Sequence, residues 1–144
     1  MRMLVLLPLL FLGACQEADV YGLFESYMWQ KRVVVLLAPS DDHSDYVQMK
    51  HWFANETEGL KERDVVRWGV IDGEHVKVND AKQAHLGTPP FYDYFNVTPD
   101  KFTVIVIGKD GTDKLRTHKA VTAEKLFSLI DAMPMRQSEM KQTQ

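Results

Sequence analysis

The sequence predicts an α/β domain, a mixed sheet flanked by helices, in the order β-α-β, a short helix, then β-β-α. Three observations carry this. Residues 32–38 and 102–108 are short, continuous, β-branched apolar runs bounded by turn residues, the pattern of strands buried on both faces. Between them Tyr46, Met49, Phe53 and Leu60 recur at helical spacing. Lys109-Asp110-Gly111-Thr112 then reads as a turn that folds the last strand back on itself.

The elements follow in order. Residues 16–31 mix Leu23, Phe24, Tyr27, Met28 and Trp29 with polar positions. They form either a tether that becomes a short helix or a lead-in packed on the core. The first strand ends at Pro39. Ser40, Asp41, Asp42, His43 and Ser44 make a polar loop rich in helix-cap residues, and a helix runs on to about residue 60, weakened near its end by Gly59. Asp64 leads into a second strand over 65–71. Asp72-Gly73 is a tight turn, and 75–78 pairs back as a hairpin strand. Thr88-Pro89-Pro90 caps and opens a short helix through Phe95, since proline suits the first helical turn. Thr98-Pro99 stops it before the third strong strand. Residues 114–120 are that strand's hairpin partner. Thr122 caps the last helix, with Val121 and Leu126 as a hydrophobic staple. Leu126, Ile130 and Met133 share its buried face, and Pro134 ends it. Residues 137–144 read as a frayed polar tail.

The N-terminus has a different character. Arg2 is a positive start, and residues 3–12 are apolar except for Pro8. The run is too short to span a bilayer, which takes about 20 apolar residues. It has the form of an export signal. Leu12-Gly13-Ala14-Cys15 resembles the lipobox of bacterial lipoproteins, which implies cleavage before Cys15 and acylation of its thiol with palmitate-type chains. Several chains give a stable anchor where one does not. An ordinary secretory signal cut after Ala14 is the alternative. The expected division is therefore 1–14 signal, 15–31 tether, 32–136 domain and 137–144 tail.

Removing residues 1–14 leaves 130 residues, one domain's worth, and takes Arg2 from a net charge of −3, leaving −4. A weakly acidic chain offers no electrostatic case for nucleic acid. Cys15 is the only cysteine, so the domain has neither an internal disulfide nor a thiol for redox work.

The element order is that of the thioredoxin-like fold. Four stretches also resemble a bacterial family called domain of unknown function 4174: Met28-Trp-Gln-Lys-Arg-Val-Val-Val-Leu-Leu-Ala-Pro-Ser40, Leu60-Lys-Glu-Arg-Asp64, Phe102-Thr-Val-Ile-Val-Ile-Gly-Lys-Asp-Gly111 and Asp131-Ala-Met-Pro-Met-Arg136. The resemblance implies a thioredoxin-like fold, with relatives in vertebrate sushi-repeat and extracellular matrix proteins. It implies no established activity.

Candidate chemistry starts at the loop after the first strand. In thioredoxins a Cys-x-x-Cys opens the following helix there, where the helix N-terminus favours the thiolate. Here Ser40 and His43 hold that spacing. Serine cannot exchange disulfides and becomes a nucleophile only if a base such as His43 reaches its hydroxyl. The competing reading is that Ser40, Asp41, Asp42 and Ser44 cap the helix. His43, His51, His75, His85 and His118 show no metal-ligand spacing, and no metal or cofactor is expected. The one weak alternative groups His43 and His51 with Asp41 or Asp42. Thr98-Pro99 stands where thioredoxin-like proteins often hold a cis-proline facing the active loop. A cis bond there preserves a binding groove without its cysteines, and a trans bond makes Pro99 a loop breaker. The aromatics Phe91, Tyr92, Tyr94 and Phe95, with Trp52 and Trp68, read mainly as core.

The expectation is a lipid-anchored cell-envelope protein, bound to the membrane through Cys15 and facing the periplasm. Gln16 after the cysteine favours the outer membrane; secretion in soluble form is the alternative. Its redox-inactive domain acts as a protein-binding or structural module with an envelope protein partner. The alternative function is an enzyme using Ser40, Asp41 and His43.

Overall fold

The first apolar run forms β1 (Arg32–Ala38), buried along all seven residues. It pairs in parallel with β2 (Val65–Ile71), in register from Arg32 opposite Val65 to Ala38 opposite Ile71. On its other side it pairs antiparallel with β5 (Thr103–Ile107). β6 (Asp113–Thr117) folds back on β5, and β3 (His75–Val78) folds back on β2. A two-residue strand β4 (Ala81–Lys82), not foreseen from the sequence, completes the order β4-β3-β2-β1-β5-β6. This computed structural model describes residues 17–144. Cys15 and the leader expected over 1–14 lie outside the described residues.

Strand side chains alternate between two cores. Val34, Leu36 and Ala38 of β1, with Val104 and Val106 of β5, face one of them. There they meet α2 (Ser44–Asn55), α3 (Thr57–Glu62) and α5 (Ala123–Asp131) through Met49, Phe53, Leu60, Leu126 and Ile130. Val33, Val35 and Leu37 face the other, against α1 (Val20–Glu25) and α4 (Pro89–Phe95) through Phe24, Phe91 and Phe95. Cover on both faces explains why these strands read as unbroken apolar runs. The expected α/β architecture is therefore present, a mixed six-stranded sheet flanked by helices, consistent with a thioredoxin-like fold. The lead-in over 16–31 contains the short helix α1, which packs on the second core.

Two expectations change. The helix expected to reach residue 60 breaks at Glu56, whose backbone (φ −111°, ψ 28°) leaves the helical region. α3 starts afresh and still delivers Leu60 to the same core. Gly59 sits where α3 closes on α5; a Cβ there would come within 2.9 Å of the Phe127 ring. The second change is at the C-terminus. Residues 137–144 are not a frayed tail but belong largely to α6 (Pro134–Gln142), with Pro134 in its first turn. α6 is held by charge rather than by apolar burial, which a hydropathy reading cannot detect. Thr122 caps α5 as expected, its hydroxyl accepting the Lys125 N–H at 3.2 Å.

Candidate functional site

The loop leaving β1 carries the candidates Ser40, Asp41 and His43. Ser40 Oγ donates to Asp42 Oδ1 at 2.5 Å. The His43 ring turns away and stacks on Phe102, centroids 5.4 Å apart and planes at 14°. Only backbone joins Ser40 to His43: the His43 N–H donates to the Ser40 carbonyl at 3.3 Å. The hydroxyl thus faces a carboxylate, and the base that would activate a serine is not in place. The expected capping also differs. His43 is the N-cap of α2 and no side chain caps that end. The four cap candidates are engaged elsewhere or exposed: Asp42 with Ser40, Asp41 across the sheet.

Asp41 reaches β3. Its Oδ2 lies 3.6 Å from His75 Nε2 and its Oδ1 lies 3.5 Å from Lys77 Nζ. His75 Nδ1 is 3.9 Å from Glu74 Oε2. Among the described residues, Asp41, Glu74 and His75 are the group whose ligand atoms come within 4.8 Å of one another. The histidine brought to Asp41 is therefore His75, not His43 or His51. Burial and the neighbouring Lys77 lower the His75 pKa below its ordinary 6.5, against the pull of Asp41. The ring is neutral at pH 7, and Lys77 supplies the positive charge beside Asp41. Tyr46 lies close by, its hydroxyl pushed up to about 12 by burial and by Asp41 and Asp80. Glu74 and Lys77 escaped sequence reasoning, and His75 was set aside there for want of ligand spacing, because β3 meets Asp41 only through the sheet, Lys77 standing 36 positions after Asp41.

Tyr92 of α4 secures this end of the sheet. Its buried hydroxyl sits 3.2 Å from the Ala38 carbonyl and 3.4 Å from that of Val70, bridging the ends of β1 and β2. Thr88, expected as a side-chain cap, occupies the N-cap position of α4 but uses its hydroxyl to accept the Gly73 N–H at 3.2 Å. The Thr98–Pro99 bond is trans, since no cis peptide occurs among the described residues, and both side chains are exposed between α4 and β5. Phe91, Tyr92, Phe95 and Trp68 are core as expected, while Tyr94 is 44 % exposed.

The opposite end of the sheet holds the densest charge. Arg32 is 1 % exposed and binds both oxygens of Glu139, at 3.1 and 3.2 Å. Lys109, also buried, donates to Glu139 at 2.6 Å and to Asp64 at 2.9 Å. Next to them Asp131 takes Arg63 at 2.8 Å and Arg136 at 3.0 Å. Burial opposes ionisation of Asp64, Asp131 and Glu139, but hydrogen bonds from these cations outweigh it and hold all three below their usual range. Each buried cation has a carboxylate partner, so the cluster serves the fold.

A model of the family named domain of unknown function 4174 matches residues 23–139, most of the chain. The chain belongs to this family. The matched span runs from α1 through most of α6, so both ends of the sheet lie inside the family domain. A curated relative, coiled-coil domain-containing protein 80 of Danio rerio, is 24 % identical over 147 aligned positions. The alignment takes in 88 % of this chain but 17 % of that protein. The chain thus corresponds to about a sixth of that relative's length.

Proposed function

We propose that this protein is a lipid-anchored envelope component whose domain binds or scaffolds a protein partner and performs no thiol chemistry. One observation carries the reading. At the position where a thioredoxin bears its cysteine pair, Ser40 is tied to Asp42 and His43 is stacked on Phe102. Beyond Cys15 the chain holds no thiol to replace them. The anchor rests on the Leu12-Gly13-Ala14-Cys15 pattern. The polar group of Asp41, Glu74, His75 and Lys77 beside that loop suits recognition of a partner's hydrogen-bonding side chains, because it offers both charges and a neutral imidazole.

Two measurements test this. Mass spectrometry of the mature N-terminus is expected to find Cys15 as first residue with acyl chains; a free thiol, or cleavage elsewhere, overturns the anchor. A Ser40→Ala, His43→Ala double variant is expected to keep its envelope crosslinks and its phenotype. Loss of the phenotype with fold and crosslinks intact would point instead to chemistry in the loop.

A further inference from the structure

Five large apolar side chains are exposed among the described residues: Tyr21, Trp29, Val47, Tyr94 and Met135. Four of them gather around one turn. Tyr21 and Tyr94 line a cavity of about 220 Å³ that reaches Gly111. Trp29 and Met135 line another of about 350 Å³ that reaches Gly108 and Asp110. The two cavities thus open on either side of the 108–111 turn. Tyr94 stacks on Phe24 of α1, ring centroids 5.9 Å apart, which fixes its phenol beside that helix. Trp29 is held at φ +66° and its N–H donates to the Lys109 carbonyl, so its ring is presented by a constrained backbone.

We propose that this aromatic face rests in the phospholipid headgroup layer of the bilayer that holds Cys15; the inference builds on the lipid anchor proposed above. The tether decides the occupant. Tyr21 stands six positions after Cys15, and even a fully extended chain spans only about 20 Å over six steps. The start of α1 therefore stays close to the membrane surface in every conformation of the tether. Tyrosine and tryptophan suit that layer because one end of each ring is apolar and the other donates a hydrogen bond. Charge agrees. The cations beside the aromatics are matched on the surface, Lys114 to Asp110 at 2.8 Å and Arg116 to Asp113 at 2.9 Å. Such paired charges fit zwitterionic headgroups and give no strong preference for anionic ones.

The test uses the full acylated chain in vesicles of phosphatidylethanolamine and phosphatidylcholine, with lipids brominated near the carboxyl end of their acyl chains. Trp29 is 63 % exposed while Trp68 is buried, so Trp29 is the ring a bromine can reach from this face. Tryptophan emission is expected to be quenched. In Trp29→Phe the quenching is expected to vanish, and in Tyr21→Asp, Tyr94→Asp it is expected to fall severalfold with an unchanged circular dichroism spectrum. Flotation of the same vesicles separates the two layers of the argument. A chain that does not float removes the anchor and this inference with it. A chain that floats with Trp29 unquenched overturns the headgroup contact alone, as does quenching that survives Trp29→Phe. Trp29 shielded from an aqueous quencher only in native envelopes, and not in pure lipid vesicles, would assign the face to a protein instead.

Discussion

Arg32, the first residue of β1, is fully buried and grips both carboxylate oxygens of Glu139, 107 residues further along the chain. The pair ties the central strand to the last helix. Arg32 Nη1 also donates to the Arg63 carbonyl at 2.9 Å, so the same guanidinium secures the turn into β2.

Glu139→Ala is expected to destabilise the domain by about 3 kcal/mol, because it strands a buried guanidinium and half of Lys109's partners. Chemical denaturation followed by circular dichroism measures this. Replacing both partners, Arg32→Met with Glu139→Leu, is expected to recover most of the loss, since an apolar pair carries no desolvation cost. A double variant as unstable as the single one would show that the pair is not the source of the effect.

Stability is expected to fall in acid in two steps. His75 has its pKa lowered in the folded state, so the unfolded chain takes up a proton first, and stability declines as pH drops below about 6.5. Asp64, Asp131 and Glu139 also have folded pKa values below their unfolded ones. Their contribution is complete above the unfolded values, 3.8 for Asp and 4.5 for Glu, and is lost as pH falls through the lower folded values. Urea midpoints between pH 8 and pH 3 would show both steps. His75→Gln should remove the upper step and leave the lower one.

Leu126 and Ile130 bring α5 onto the first core, and neither has measurable exposure. Leu126→Ala is expected to cost about 3 kcal/mol, transfer loss plus the cavity left behind. Thr122→Ala, which removes only the cap to the Lys125 N–H, should cost about 1 kcal/mol. If the cap substitution proved the costlier of the two, the helix would be held by its end rather than its face.

His43 contributes a ring and Ser40 only an exposed hydrogen bond. His43→Ala is expected to cost about 1 kcal/mol through the lost stack on Phe102, while Ser40→Ala should stay within about 0.5 kcal/mol of the parent. Thermal melts of the two variants side by side test the ranking.

Strands were legible where burial left a local mark. Val33, Val35 and Leu37 alternate with Val34 and Leu36 between two cores, and an unbroken apolar run is what that leaves in a sequence. Caps were half legible. Thr122 works as expected because nothing competes for its hydroxyl, whereas Thr88 gives its hydroxyl to Gly73 across the fold. Ser40 and His43 could be found as candidates from spacing alone. Whether hydroxyl and imidazole meet depends on the rotation of each side chain, and Phe102, from another strand, takes the ring.

The amino-acid sequence by itself determined the class of the domain, the family it belongs to and the lack of any thiol after Cys15. These follow from residue type and short-range period. Only the tertiary structure decided that Asp41 meets His75 and that Arg32 meets Glu139. It also decided that Tyr21, Tyr94, Trp29 and Met135 surround one turn. A charge or an exposed ring has no period of its own, and many partners of opposite sign lie within reach of an unfolded chain. The choice among them falls to the sheet register, which sets Ala38 at the end of β1 opposite Ile71 of β2 and Ile71 opposite His75 of β3, while Arg32 at the start of β1 meets Glu139 of α6.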